Sequence, residues 1–183
     1  MAHIHQEPGQ HDATSSAYIV YEQEGEEPRL WLHVHKKLGF WLQFGGHVEL
    51  SDNPWKTCVE ETRQEAGYEL HQYQILQPAL RIEQLTDAVS HPTPVNENTH
   101  TFNGTEIAHR HTDRAYALVT NQLPAVQPEV GESREMKAMT AGEIRSIETG
   151  QIPESTRQIA LFILERVLPE YERVDSSVYA LDI

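Results

Sequence analysis

The sequence predicts an α/β/α sandwich, a mixed β-sheet between helices, and three observations lead there. Short runs of alternating apolar and β-branched residues, bounded by turn signals, recur along the chain. One helical stripe follows the first of these runs, and a second closes the chain. At 183 residues, with 38% hydrophobic content and no long apolar run, the chain has the size of a single domain spanning 1–183. Within it, 1–12 reads as a flexible N-terminus and 153–183 as a C-terminal helix and tail.

The first strands are expected at 15–22 (SSAYIVYE), 29–35 (RLWLHVH) and 40–44 (FWLQF), with GEEP turning between the first two. A helix should begin near Pro54, capped by Asp52 or Asn53, and stop at Gly67. Trp55, Cys58, Val59 and Thr62 give it one inward stripe, leaving Glu61, Gln64 and Glu65 toward a cleft. Further strands are expected at 73–85, interrupted by Pro78, and at 113–120 (DRAYALVT). A weaker one at Met136 to Thr140 precedes a short turn of helix. Ile159, Phe162, Ile163 and Val167 form the stripe of the terminal helix, which starts at Pro153. The segment from Thr86 to Arg110, rich in Pro, Asn, Thr and His, reads as one long irregular loop.

Charge and composition exclude several classes of function. Twenty-eight acids against fourteen bases give a net charge of −14, which opposes binding to a nucleic acid polymer or an anionic membrane. The N-terminus lacks the basic start and apolar core of a secretory signal, and one cysteine forms no intramolecular disulfide, so the cytoplasm is the expected compartment. Cys58 reads as a small core residue. Small anionic substrates remain compatible with the charge, because a bound divalent cation and a few placed bases reverse the field locally. Lys36, Lys37, Arg81, Arg110 and Arg114 are the candidate bases, and each could equally be an ordinary surface charge.

The segment GGHVELSDNPWKTCVEETRQEAGY, Gly45 to Tyr68, concentrates the chemistry. Glu61 and Glu65 are four apart, so at about 100° per residue they lie within roughly 40° of each other on a helix. Gln64 shares their side. Carboxylates this close repel unless a cation lies between them, and hard oxygen donors select Mg²⁺ or Mn²⁺. A solvated acidic face that includes Glu60 would show the same spacing.

The segment resembles the signature of the Nudix hydrolases: Gly, five residues, Glu, seven residues, Arg-Glu, an apolar residue, any residue, Glu-Glu, any residue, Gly, an apolar residue. Here the frame runs Gly46, Asp52, Glu60, Glu61, Thr62, Gln64, Glu65, Gly67, Tyr68. Gly46, Glu61, Glu65 and Gly67 match, Asp52 is conservative and Tyr68 fills an apolar slot. Glu60 stands in place of Arg, Gln64 in place of the first Glu of the pair, and Thr62 in place of an aliphatic. The preceding LGFWLQFGGHVE is similar to the strand and glycine loop of that family, and with the strand pattern the resemblance covers about two thirds of the chain.

The resemblance implies the sandwich fold and a Mg²⁺- or Mn²⁺-dependent hydrolysis of a diphosphate linkage in a small phosphorylated substrate, NDP-X. It implies metal ligands at Glu61, Glu65, Gln64 and a carbonyl of the glycine loop, for which Gly45 is the choice. The family Arg is expected to bridge to the first acidic position, and Glu60 facing Asp52 would repel it, so Arg63 or Lys56 is expected to compensate. Gln64 brings an oxygen without charge, which predicts one firm metal and at most one loose one. The base could be Glu61 itself, Glu49, or an acid of a later loop, Glu132 or Glu135, between which the sequence does not choose. A degenerate box that binds a nucleotide or effector without turning it over is the alternative. An isomerase acting on an isoprenoid diphosphate shares the fold, but no cysteine lies where its acid would stand. A homodimer is plausible for the fold, though no segment declares an interface.

His47 follows the glycines directly and should line the start of the site with Glu49. In a strand, His109, His111 and Asp113 would share one face. That cluster could contact substrate, bind a transition metal through imidazole, or be a solvated strand end. His33 and His35, alternating with Leu32 and Val34, read as sheet-surface residues.

Overall fold

The computed structural model describes residues 9–102 and 109–182. Among these, nine strands form one mixed sheet. Its path runs β3 (Trp41–Leu42), β2 (Arg29–Val34), β1 (His11–Tyr21), β7 (His109–Thr120), β5 (Gln74–Gln77), β9 (Glu172–Asp175). Off this path, β4 (Phe44–His47) pairs with β1, β6 (Asn96–Phe102) with β7, and β8 (Met136–Met139) with β2. β1 and β7 run parallel along their whole length, from His11 beside Arg110 to Tyr21 beside Thr120, while the other pairs are antiparallel. The two halves of this central pair have different neighbours. Their C-terminal halves lie beside β2 and β5, and their N-terminal halves beside β4 and β6.

Helices cover both faces. On one, Trp55, Cys58, Val59 and Ala66 of α1 (Pro54–Ala66) pack against Ala17, Ile19, Phe44, Tyr116 and Leu118. On the other, Ile144 of α2 (Ala141–Ser146) and Ala160 of α3 (Glu154–Phe162) pack against Tyr18, Val20, Leu30, Ala115 and Ala117. Beyond α3 the chain continues through a wider turn, Ile163–Val167, into α4 (Leu168–Glu170), and Ile163 and Val167 join the same core. Burying an apolar side chain of this size contributes about 1.5–3 kcal/mol. The expected sandwich is therefore present, and the Trp55 stripe rather than helix propensity fastens α1 to the sheet.

The ends of α1 follow from local chemistry. The Asn53 side chain accepts from Lys56 N at 3.0 Å, Pro54 occupies the first turn, and Gly67 closes the helix in the left-handed region at φ 76°. The Asn53 amide also donates to Leu181 O at 2.7 Å, which ties the C-terminal tail to the helix start.

Several boundaries differ from the sequence reading. β1 begins at His11, so residues 11 and 12 of the expected flexible N-terminus are strand, while 1–8 lie outside the described residues. The run 40–44 divides at Gln43, and the glycine pair becomes part of β4. β5 ends at Gln77, where Pro78 removes a ladder donor. The segment 86–110 is not one loop, because Asn96–Phe102 pairs with β7 as a hairpin. NENTHTF is almost wholly polar, so its pairing left no hydrophobic alternation to read. Glu172–Asp175, read as tail, is the edge strand β9.

Candidate active site

The approach of β4 to β1 positions the acids of α1. Gly45 pairs with Ser16 and Gly46 with Ser15. At Gly45, φ is 148°, and a Cβ there would overlap the Ser15 carbonyl oxygen, so only glycine lets the strands close. The Ser15 hydroxyl donates to Pro54 O at 2.7 Å, holding the first turn of α1 against the same strand. In this position the Gly45 N–H donates to Glu65 Oε2 at 2.8 Å.

Glu61 and Glu65 are both buried, at 5% and 8% exposure. Burial, followed by repulsion from Glu132, pushes the Glu61 carboxyl up to about 7. Burial likewise pushes Glu65 up to about 8, against the pull of the Gly45 N–H, with Glu61 and Glu132 repelling it and Glu132 close enough to share a hydrogen bond. Three carboxyl groups thus converge. Glu132 sits on the loop before β8, a loop held by the Lys36 ammonium donating to Gly131 O at 2.6 Å. The sequence left Glu132 and Glu135 equivalent; Glu132 faces the pair, whereas Glu135 is exposed and its carbonyl accepts from Val34 N.

The remaining expected site residues are dispersed. Gln64 is half-buried on the same helix, and its carbonyl accepts from Glu129 N at 2.8 Å. Glu49 is exposed on the turn after β4, its carbonyl accepting from Asp52 N. Arg81 is not turned to the acids: it pairs with Glu172 at 2.6 Å and Glu83 at 3.2 Å, at the β9 edge. Arg114 pairs with Glu97 of β6 at 3.1 Å. Of the two expected compensators of Glu60, Lys56 pairs with Asp52 at 2.9 Å and with Asp182 at 3.2 Å. Arg63 turns instead to Glu129 and Glu69, and Glu60 is left exposed, where water screens it. Cys58 is fully buried, and its thiol is pushed up by that burial, as befits a core residue.

The histidines expected to meet substrate gather elsewhere. Along β7, Ala115 and Ala117 face the α3 core while Tyr116 and Leu118 face α1, so by alternation His109, His111 and Asp113 lie on the α3 face. Thr14 and Ser16 of β1 reach the same face, both donating to Asp113 Oδ1 at 2.9 Å. His47 is paired with Thr14 and joins this side. There Asp12, His47, His109 and His111 bring one ligand atom each to within 4.8 Å of one another. The structure thus sets these three histidines on the sheet face opposite α1, grouped with Asp12 and apart from Glu61 and Glu65. They are not a solvated strand end either: His109 is 2% and His111 7% exposed.

Asp12 was missed because it fell in the presumed tail. The polar alternation Asp12, Thr14, Ser16 was the signal that the strand begins earlier. His33 is also not a surface residue. It is 2% exposed, its ring centroid 4.9 Å from that of Phe44, and burial followed by repulsion from His35 lowers its pKa to about 4.

No family sequence model matches the chain, and no curated protein matches it in sequence. Solved structures do match. The chain is similar to a hydrolase of the NUDIX family from Clostridium perfringens, with a TM-score of 0.64 at 24% identity, over 84% of this chain and 95% of that one. It is similar to the E. coli dihydroneopterin triphosphate pyrophosphohydrolase, with a TM-score of 0.57 at 15% identity, over 86% and 95%. A third likeness is to the NUDIX domain of Shewanella oneidensis NrtR, complexed there with ADP ribose, with a TM-score of 0.55 at 12% identity, over 84% and 86%. The chain has the Nudix fold.

Proposed function

We propose that this protein is a hydrolase that cleaves a diphosphate linkage in a small nucleoside diphosphate-type substrate, with Mg²⁺ or Mn²⁺ held by the acids of α1. The convergence of buried Glu61 and Glu65 with Glu132 carries this reading, since three like charges in one place call for a cation. The donors fit a hard ion: two carboxylates, the Gln64 amide oxygen and the Gly45 carbonyl. Such an ion, when bound, offsets charge on the phosphate oxygens and acidifies a water.

The chain's own groups supply the rest. The Gly45 N–H fixes Glu65 Oε2, and with it the direction in which the carboxylate presents its other oxygen. Glu132, half-buried beside the pair and not on α1, is our choice for the carboxylate that takes the proton from the attacking water. The E. coli neighbour is a pyrophosphohydrolase, which supports the reaction class by analogy of fold. No described helix is long and apolar enough to cross a membrane. The net charge of −14 supports a small-molecule substrate over a polynucleotide; a cytoplasmic location and a homodimer are part of the same reading.

One observation favours a second reading. The neutral Gln64 and the exposed Glu60 both depart from the signature, and the NrtR domain is seen in complex with a ligand, ADP ribose. A binding module would keep the pocket without turnover. A screen of nucleoside diphosphate derivatives for phosphate-containing products, with Mg²⁺ and with Mn²⁺, separates the two. Metal-dependent product from at least one member supports the hydrolase, whereas saturable binding without product supports the module.

A further inference from the structure

The second group of titratable side chains lies outside the acid pair and is built by different elements. Asp12 stands on β1, His47 ends β4, and His109 and His111 open β7. Parallel pairing sets Asp12 beside His111, and antiparallel pairing sets Thr14 beside His47, so strand registers hold all four at one end of the sheet. Beneath them, the Thr14 and Ser16 hydroxyls clasp Asp113, and Gln43 donates to Ser16 Oγ at 3.0 Å while accepting from Thr156 of α3. The backbone that carries the four side chains is therefore anchored on three strands and a helix.

The atoms converge on a point. His109 Nε2 lies 3.0 Å from His111 Nε2 and 3.3 Å from Asp12 Oδ2, and His47 Nε2 lies 3.8 Å from the same Asp12 oxygen. Four donors placed tetrahedrally about 2.0–2.1 Å from an ion are about 3.3–3.4 Å from one another. Three of the separations, 3.0, 3.3 and 3.8 Å, bracket that value and all four atoms lie within 4.8 Å of one another, so side-chain rotations that draw them together complete the geometry. The side chains of Asp12 and His109 are 2% and 1% exposed, and that of His47, at 16%, forms the rim through which an ion would enter. Three imidazoles and one carboxylate are borderline donors, suited to Zn²⁺ and poorly matched to Mg²⁺.

We propose that Asp12, His47, His109 and His111 bind one Zn²⁺ ion on the sheet face opposite α1. Its site shares no side chain with Glu61, Gln64, Glu65 or Glu132, so the inference does not rest on the hydrolase reading. The ion's role is positional. It joins β1, β4 and β7 at the strand whose Gly45 N–H holds Glu65, and so stiffens the glycine turn from behind.

The test uses the full chain, loaded with Zn²⁺ and dialysed, with metal content read by elemental analysis and affinity by competition with a chelator. One equivalent per chain is expected. A Co²⁺-loaded sample should show the intense visible bands of a tetrahedral site. His109→Ala and His47→Gln should each lower Zn²⁺ affinity at least tenfold and remove those bands, whereas Glu61→Gln/Glu65→Gln should leave both unchanged. Should His109→Ala fail to fold, His47→Gln at the rim carries the comparison. Wild-type chain retaining well under one equivalent overturns the proposal, as does a His47→Gln chain that binds Zn²⁺ like wild type, or zinc that is lost with the α1 acids. The first result would leave the four side chains as a hydrogen-bonded cluster alone. None of these outcomes bears on turnover of a diphosphate, which the substrate screen decides.

Discussion

On the α1 side of β4 three carboxyl groups converge, while on the other face a single carboxylate meets three imidazoles. The first group is all acid, and burial, followed by repulsion from the neighbouring carboxyls, puts Glu61 and Glu65 near 7 and 8. The second mixes an acid with groups that can be neutral or positive, and its charge can balance internally. The contrast separates two uses of buried polarity on one strand. A like-charge cluster is relieved by protons or by a cation, so it is suited to capturing a metal and the anion that follows. A mixed cluster holds its shape with or without an ion, which suits fastening strands.

The largest effect expected from breaking this contrast is on catalysis. Glu65→Gln should lower kcat by at least about a hundredfold, the order of loss when a site loses a group that acts on developing charge. Its metal-free melting temperature should not fall, because the change removes a repelling charge. Wild-type-like turnover in that variant would take the carboxylate out of the mechanism. Glu132→Gln comes next: loss of a general base typically costs about 10²-fold or more in kcat, and here KM should move little. Glu135→Gln, exposed one turn of loop away, should hydrolyse at the wild-type rate. Equal rates for all three proteins would return the proton to Glu61 or Glu49.

Legibility differed between the two groups for a physical reason. Glu61, Gln64 and Glu65 belong to one helix, where spacing alone places them on a common side, and the Asn53 cap, Pro54 and Gly67 fixed its limits. Glu132 comes from a loop 67 residues further on, and only the folded chain selects it over Glu135. The histidine group was half legible. Period-two spacing put His109, His111 and Asp113 on one face, but their companions Asp12 and His47 are joined to them by strand register, which no local pattern encodes. β6 and β9 were missed for a related reason: NENTHTF and ERVD are edge strands with polar sequences, so no buried face imposed an alternation.

A third test uses stability in place of rate. An acid whose folded pKa lies above its unfolded value, about 4.3 for Glu, keeps its proton longer in the folded chain. Between that value and about 8 the native state binds more protons, so stability falls as pH rises through the folded values near 7 and 8. His33 acts in the other window. Its lowered value of about 4 means the folded chain resists protonation, so its contribution is lost as pH falls below about 6.5. Metal-free wild-type protein should therefore lose melting temperature from pH 6.5 to 8, and Glu61→Gln/Glu65→Gln should flatten that limb while keeping the acid limb. Saturating Mg²⁺ should flatten it too, since the ion replaces the protons. A wild-type limb no steeper than the variant's would mean the acids are not crowded as the structure places them.

The smallest effect sharpens the contrast from within the acid group. Gln64→Glu adds a fourth carboxyl to a site that already repels itself, and two consequences follow with opposite signs. Without metal, the added charge should deepen the stability loss above pH 7. With Mg²⁺ present, ligand charge sets affinity, and one more carboxylate should tighten binding by about tenfold, or about 1.4 kcal/mol. Because protons compete with the ion, the gain should be larger at pH 8 than at pH 6. Calorimetry at both values reads affinity and proton release together. Weaker Mg²⁺ binding by Gln64→Glu would place that side chain outside the metal's reach. Zn²⁺ affinity should not change in the same variant, because position 64 lies across the sheet from His47 and its partners.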